Sequence, residues 1–263
     1  MIPVFLSGYA LYLTFLVLRG GFALKPGQVE TNLSGRSILL AVASIAAGVY
    51  LFGPLAGVAV VLGIAIHEYG HVAAFRAMGH TDARFRMIPF LGGVAISRQL
   101  PYNQLADFYI SIMGPGIMLA PLIISGFAAE MIGPGNPMLG QFAYTMFVVT
   151  GAINFFNLLP LWPLDGGRIV RTVTYGFWPG ASPLITRAMS IALAIWAIYT
   201  GRWLILIVAI FGWSSARQIK AINAVQPAMT GTQALAATIA YGCALAAHGI
   251  AGAPLILSLL FAG

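Results

Sequence analysis

The sequence predicts an all-α polytopic membrane protein with six to eight transmembrane helices. Three observations carry that prediction: 60% of its 263 residues are hydrophobic, only 7% are charged, and the mean hydropathy is +0.91. A water-soluble domain would carry about a quarter charged residues. Long stretches lack charge altogether, at Met1–Leu18, Ser37–Ile66, Phe108–Ala129, Met131–Leu164 and Ala221–Gly263. A spanning helix needs about 20 apolar residues, so several of these suffice for one or two spans. The 31 glycines and 15 prolines are scattered through apolar sequence without strand-like alternation, which excludes an outer-membrane barrel. The net charge of +7 forms no basic stripe, so the expected partner of the surface is the lipid bilayer and not nucleic acid. Cys243 stands alone, which excludes an internal disulfide framework or a multi-cysteine zinc site.

Taken in order, the spans are expected at 2–18, 38–53, 55–78, 105–130, 139–160, 183–200 and 203–216, with one or two more in 231–262. The first has no basic residue ahead of it and no small-residue cleavage site, so it reads as a transmembrane helix and not a signal peptide. Segments 38–53 and 203–216 are short and lean on snorkelling by Arg202 and Arg217 or on partial re-entry. Between the third and fourth spans, Met87–Ile96 combines Pro, two Gly and alternating apolar residues. It reads either as an ordinary interfacial loop or as a short β-hairpin whose edge can accept an unwound substrate strand. With eight spans, twelve of the thirteen basic residues fall in the odd-numbered loops and only Arg202 in an even one. The positive-inside rule then puts the odd loops in the cytoplasm and the N-terminus outside, as for a cytoplasmic-membrane protein. The length leaves no room for a soluble accessory domain, so residues 1–263 read as one transmembrane domain.

The third span contains His67-Glu68-Tyr69-Gly70-His71, an HExxH motif. On a helix, residues four apart share a face, so both imidazoles can reach one Zn²⁺. Glu68 projects beside that ion, where it can take a proton from the attacking water and pass it to the leaving amine. Three ionisable groups in five residues at membrane depth are each costly unless paired or metal-bound.

A catalytic zinc keeps three protein ligands and one open position. The chain has six acidic residues. Glu30 and Asp82 sit in basic loops, Asp107 complements the dipole at a helix start, and Glu130 lies at the opposite end of its span. Asp165 remains, within Asn157-Leu158-Leu159-Pro160-Leu161-Trp162-Pro163-Leu164-Asp165-Gly166-Gly167-Arg168. Two prolines and two glycines cannot continue a regular helix there, and unwound backbone at membrane depth belongs where it lines a cavity or site. Topology puts the ends of the HExxH helix and of the Asp165 segment on the same side. His80 and His248 read as interfacial or packing histidines, and Arg168 and Arg171 as anchors of a helix end.

The sequence resembles the site-2 protease family of intramembrane zinc metalloproteases. The resemblance rests on His67–His71, on Pro89-Phe90-Leu91-Gly92-Gly93, on Gly114-Pro115 and on Asn157–Arg168, which fits the family's N-L-L-P-x-x-P-L-D-G-G-R pattern. It implies that His67, His71 and Asp165 hold one Zn²⁺, that Glu68 is the acid/base, and that Asn157 lines the site. A donor at Asn157 suits an oxyanion, and an interhelical hydrogen bond is the alternative role. The family often carries an Asn shortly after its Gly-Pro, where this chain has Gly116-Ile117-Met118-Leu119. The resemblance further implies cleavage of a single-span membrane protein in regulated intramembrane proteolysis, with room for a regulatory membrane partner. Two alternatives are a prenyl-peptide-type membrane metalloprotease, which would need a later glutamate such as Glu130, and a non-proteolytic metal-binding or transport protein.

Overall fold

The computed structural model describes residues 2–22, 35–88, 92–178, 180–201, 203–214 and 216–261. They form eleven helices and one antiparallel strand pair, in the order α1 (Ile2–Phe22), α2 (Gly35–Phe52), α3 (Pro54–Ala77), β1 (Arg84–Ile88), β2 (Gly92–Ile96), α4 (Gln104–Ile117), α5 (Leu119–Ile132), α6 (Pro137–Asn157), α7 (Asp165–Tyr175), α8 (Ala181–Thr200), α9 (Trp203–Ser214), α10 (Ala216–Val225) and α11 (Gly231–Phe261). Six helical segments are long and apolar enough to cross a membrane: Ile2–Phe22, Pro54–Ala77, Gln104–Ile132, Pro137–Asn157, Pro183–Thr200 and Gly231–Leu260. Val42–Phe52 and Ile205–Ser214 are shorter apolar helices. The chain is an integral, multi-pass membrane protein. Arg202 and the side chain of Arg217, expected to snorkel, lie outside the described residues, as do Glu30 and Pro89-Phe90-Leu91.

Local sequence sets the boundaries. Gly53, with φ +80°, turns the chain between α2 and α3, and Pro54 at the first turn of α3 needs no backbone donor. Asn103 and Asn136 cap α4 and α6, their side chains accepting from the Ala106 and Leu139 N–H groups at 2.8 and 3.1 Å. The apolar stretch 104–132 is two helices, because Pro115 removes a helix donor and the chain breaks at Met118. The 231–262 region, expected to hold one or two spans, is one helix that accommodates Pro254.

The segment after the HExxH helix is a hairpin, pairing Arg84 with Ile96 through Ile88 with Gly92. It starts three residues before Met87, because the Arg84-Phe85-Arg86 alternation already has the two-residue period of a strand. Its base is tied to the end of α3. Ser97 Oγ donates to Asp82 Oδ1 at 3.0 Å and lies 2.8 Å from His80 Nδ1, while the Arg98 N–H donates to Asp82 Oδ2 at 2.6 Å. Ala95 packs against a core containing Val72, Phe75, Ile110 and Met118, so the hairpin sits beside the helix that carries both motif histidines.

Candidate functional site

Three helices bring the predicted residues together, and glycine decides how closely. Gly70, inside the HExxH motif, lets α3 touch α4: a Cβ there would fall 2.2 Å from the Met113 carbonyl oxygen. On α4, Gly114 faces the imidazoles, and a Cβ would fall 2.3 Å from His71 Nε2 and 2.8 Å from His67 Nε2. After α6 the chain makes an irregular turn over 158–164, and Gly166 and Gly167 pack against it. A Cβ at Gly166 would meet the Leu158 oxygen at 2.1 Å, and one at Gly167 the Trp162 nitrogen at 2.4 Å. Each glycine of the two motifs is thus a place where no side chain fits. The turn is sealed from α11, where the Tyr241 hydroxyl donates to the freed Leu158 carbonyl at 2.6 Å.

This packing delivers Asp165 at the first position of α7, where a carboxylate complements the helix dipole. Its Oδ2 lies 3.1 Å from His67 Nε2 and 3.2 Å from His71 Nε2, and the two Nε2 atoms are 3.1 Å apart. All three residues are buried. They form the three-residue group among the described residues whose ligand atoms could hold one metal ion.

The other imidazole nitrogens decide what the triangle can hold. His71 Nδ1 lies 2.7 Å from the Ile110 carbonyl, which can only accept, so Nδ1 carries the proton and Nε2 a lone pair. His67 Nδ1 lies 2.7 Å from Asn154 Oδ1, whose amide nitrogen donates to the Thr150 carbonyl at 2.7 Å, so the same tautomer follows. Neutral imidazoles of that tautomer direct two lone pairs and a carboxylate oxygen toward one point. A cation satisfies all three at once. Tetrahedral zinc with bonds of about 2.0–2.1 Å has ligand atoms about 3.3 Å apart, close to the edges found here. The residues fit Zn²⁺, with Asn154 and the Ile110 carbonyl as the outer partners that orient its histidines.

Glu68 follows His67 on α3, half-buried, and its charge bears on both His71 and Arg168. Asn157 closes α6 one turn beyond Asn154, half-buried, with no hydrogen-bond partner for its amide among the described residues. Glu130 is exposed at the far end of α5 and joins no such group, which removes the ligand that a prenyl-peptide-type site would need. His80 and His248 are buried packing residues, the latter 3.0 Å from the Pro115 carbonyl through Nε2.

Two findings go beyond the sequence reading. Asn154 is marked in the sequence only as a second Asn one turn before Asn157 near the end of α6. Arg168 and Arg171 do more than anchor a helix end: both pair with the buried carboxylate of Asp107, Arg168 at 2.8 Å.

Residues 136–199 match Peptidase family M50, a span that includes Asn157–Arg168. A zinc metalloprotease of Methanocaldococcus jannaschii is 28% identical over 166 residues, covering 59% of this chain and 46% of that protein. Stage IV sporulation protein FB of Bacillus subtilis is 32% identical over 108 residues, covering 41% of this chain and 36% of that protein. The chain thus spans less than half the length of these two relatives. Among solved structures, a site-2 protease from Methanocaldococcus jannaschii aligns with a TM-score of 0.41 and 19% identity, covering 70% of this chain and 87% of that one. The family match thus falls on the segment that carries Asp165, and the chain is similar in sequence to zinc metalloproteases.

Proposed function

We propose that this chain is a zinc-dependent endoprotease that cuts a peptide bond in or near a transmembrane helix of another, single-span membrane protein. One Zn²⁺ per chain is held by His67, His71 and Asp165. The observation that carries the reading is the convergence of three ligand atoms at 3.1–3.2 Å within an apolar bundle, next to Glu68.

Zinc held there supplies a Lewis acid that acidifies water and polarises a carbonyl. Glu68 takes the proton of the attacking water on its carboxylate and delivers it to the nitrogen of the departing amine, so one carboxylate serves as base and then as acid. The Asn157 amide, without a hydrogen-bond partner among the described residues, donates to the oxygen that gains charge as the carbonyl is attacked. The hairpin edge of β1 and β2 offers backbone groups to an unwound substrate strand. His71 stands six residues before the end of α3, about 9 Å at 1.5 Å per residue, on the side of the basic loops. With α2 and α9 counted as crossings, so that the spans number eight, the positive-inside rule makes that side the cytoplasm, and the cut falls in the cytoplasmic half of the substrate helix.

The test measures metal content and cleavage of a single-span substrate together, for wild type and Glu68→Gln. The variant should keep its zinc and lose cleavage, since an amide cannot take the proton. Near wild-type cleavage by Glu68→Gln would overturn the protease reading and favour a metal-binding or transport role.

A further inference from the structure

Metal geometry tolerates displacements of about 0.2 Å, yet Asp165 reaches the histidines from a separate short helix that enters after an irregular turn. Something must set the height and rotation of α7. A slip of one residue along that helix moves every side chain by about 1.5 Å and turns it by about 100°.

Asp107 lies in the first turn of α4 and is only 3% exposed. Its Oδ1 accepts from Arg168 Nη2 at 2.8 Å, and its Oδ2 accepts from Arg171 Nη2. The two arginines are three residues apart, so the carboxylate grips α7 at successive points on one face. One contact would leave the helix free to rotate about it; two oppose rotation as well as sliding. Arg171 is fully buried, and its Nη1 donates to Asn223 Oδ1 and Gln226 Oε1 at 2.9 and 3.0 Å, while Gln226 Nε2 donates to the Pro101 carbonyl at 3.0 Å. The grip is therefore backed by α10 and the segment after it.

The same face of α4 serves the histidines. Asp107, Ile110 and Gly114 are spaced i, i+3 and i+7, and so line one stripe. Ile110 supplies the carbonyl that orients His71, and Gly114 the space for both rings. From Asp107 to Gly114 the stripe rises about 10.5 Å, and from Arg171 back to Asp165 α7 rises about 9 Å. One helix is thus the common reference for both halves of the triangle. The carboxylates of Asp165 and Glu68 also bear on the Arg168 guanidinium, so the held cation stands beside a ligand and the acid/base.

We propose that Asp107 is a positioning residue for the metal centre: by holding Arg168 and Arg171 together it fixes the height and rotation of α7, and with them the place of the Asp165 carboxylate against His67 and His71. The proposal rests on the reading of the triangle as a zinc site.

The experiment uses the full chain in detergent, with zinc affinity measured by chelator competition and coordination by the visible spectrum of the Co²⁺-substituted protein. Asp107→Asn should lower zinc affinity at least tenfold and change the Co²⁺ spectrum. Asn223→Ala removes one acceptor of Arg171 Nη1 but leaves both Asp107 pairs and the Gln226 contacts. It should keep wild-type affinity and spectrum even where its melting temperature falls. If Asp107→Asn does not fold, Arg168→Lys keeps the charge but loses the planar fork, and should show the same spectral change. Wild-type affinity and spectrum in Asp107→Asn or in Arg168→Lys would overturn the proposal. So would an Asn223→Ala variant that loses zinc as severely, because the network would then be general packing. A wild-type chain that binds no zinc would overturn the functional reading itself, and the proposal with it.

Discussion

Replacing Gly114 by alanine adds one methyl group at the point where α4 faces the imidazoles. Its Cβ would stand 2.3 Å from His71 Nε2 and 2.8 Å from His67 Nε2. Ordinary contact needs about 3.5 Å, so the overlaps are about 1.2 and 0.7 Å. Either the rings rotate away by several times the 0.2 Å that a metal site tolerates, or α4 retreats and the 2.7 Å bond from His71 Nδ1 to the Ile110 carbonyl breaks. Loss of a single outer partner typically weakens metal binding 10- to 100-fold. Here two ligands are struck directly, so zinc affinity should fall at least about 100-fold, about 2.8 kcal/mol. Helix propensity works in the opposite direction, since alanine favours a helix over glycine by about 1 kcal/mol, and a loss is therefore not a loss of helix. Chelator competition on the purified protein reads the effect. Gly116→Ala is the control, because its Cβ would meet only the flexible end of Met113, at 2.9 Å from Cε, and should leave zinc affinity unchanged. Wild-type zinc binding by Gly114→Ala would mean that the imidazoles do not converge against α4.

Asn154→Ala removes the acceptor that orients His67 and should weaken zinc about tenfold or more while leaving the helices intact, as far-ultraviolet circular dichroism and metal titration would report; unchanged affinity would exclude Asn154 as a partner. At the hairpin base, the Arg98 N–H above all, with Ser97 and the nearby His80, holds the Asp82 carboxyl below the usual carboxylate range. A lowered folded-state pKa contributes stability that is fully present above the unfolded value of about 3.9 and is lost as pH falls through the lowered one. The melting-temperature advantage of wild type over Asp82→Asn should therefore be constant above pH 5 and shrink below about pH 4; an advantage that grew on acidification would refute the assignment. For the substrate, freed backbone groups are costly in lipid, so helices weakened by Gly, Pro or Asn should be cut faster than Leu-substituted ones, and mass spectrometry should find the ends in the cytoplasmic half. Cuts in the outer half would refute the orientation, and indifference to helix strength would refute the unwinding argument.

The sequence could be read this far because the decisive residues are chemically out of place. His67, Glu68, His71 and Asp165 are polar groups in apolar surroundings, and the Pro/Gly-rich segment before Asp165 breaks a helical pattern that otherwise runs on. What packing decides was not legible. Nothing in the pattern marks the Ile110 carbonyl as the partner of His71, since every residue has one. Asp107 sits in a helix's first turn, where an acid needs no explanation beyond the dipole, and Arg168 and Arg171 look like interfacial anchors until the helix opposite is known. The break at Met118 was hidden because both halves of 104–132 are equally apolar.

His71 and Asp165 are 94 residues apart in the chain, and α4, α5 and α6 lie between them. A chain still being threaded into the bilayer, with α3 in place and α7 not yet made, has two imidazoles and no carboxylate to complete the triangle. Such a nascent chain holds only two of the three ligands a catalytic zinc requires. On the protease reading proposed above, cleavage would wait for the last-made ligand to dock, and the unfinished chain would spare the helices being inserted beside it, its own included.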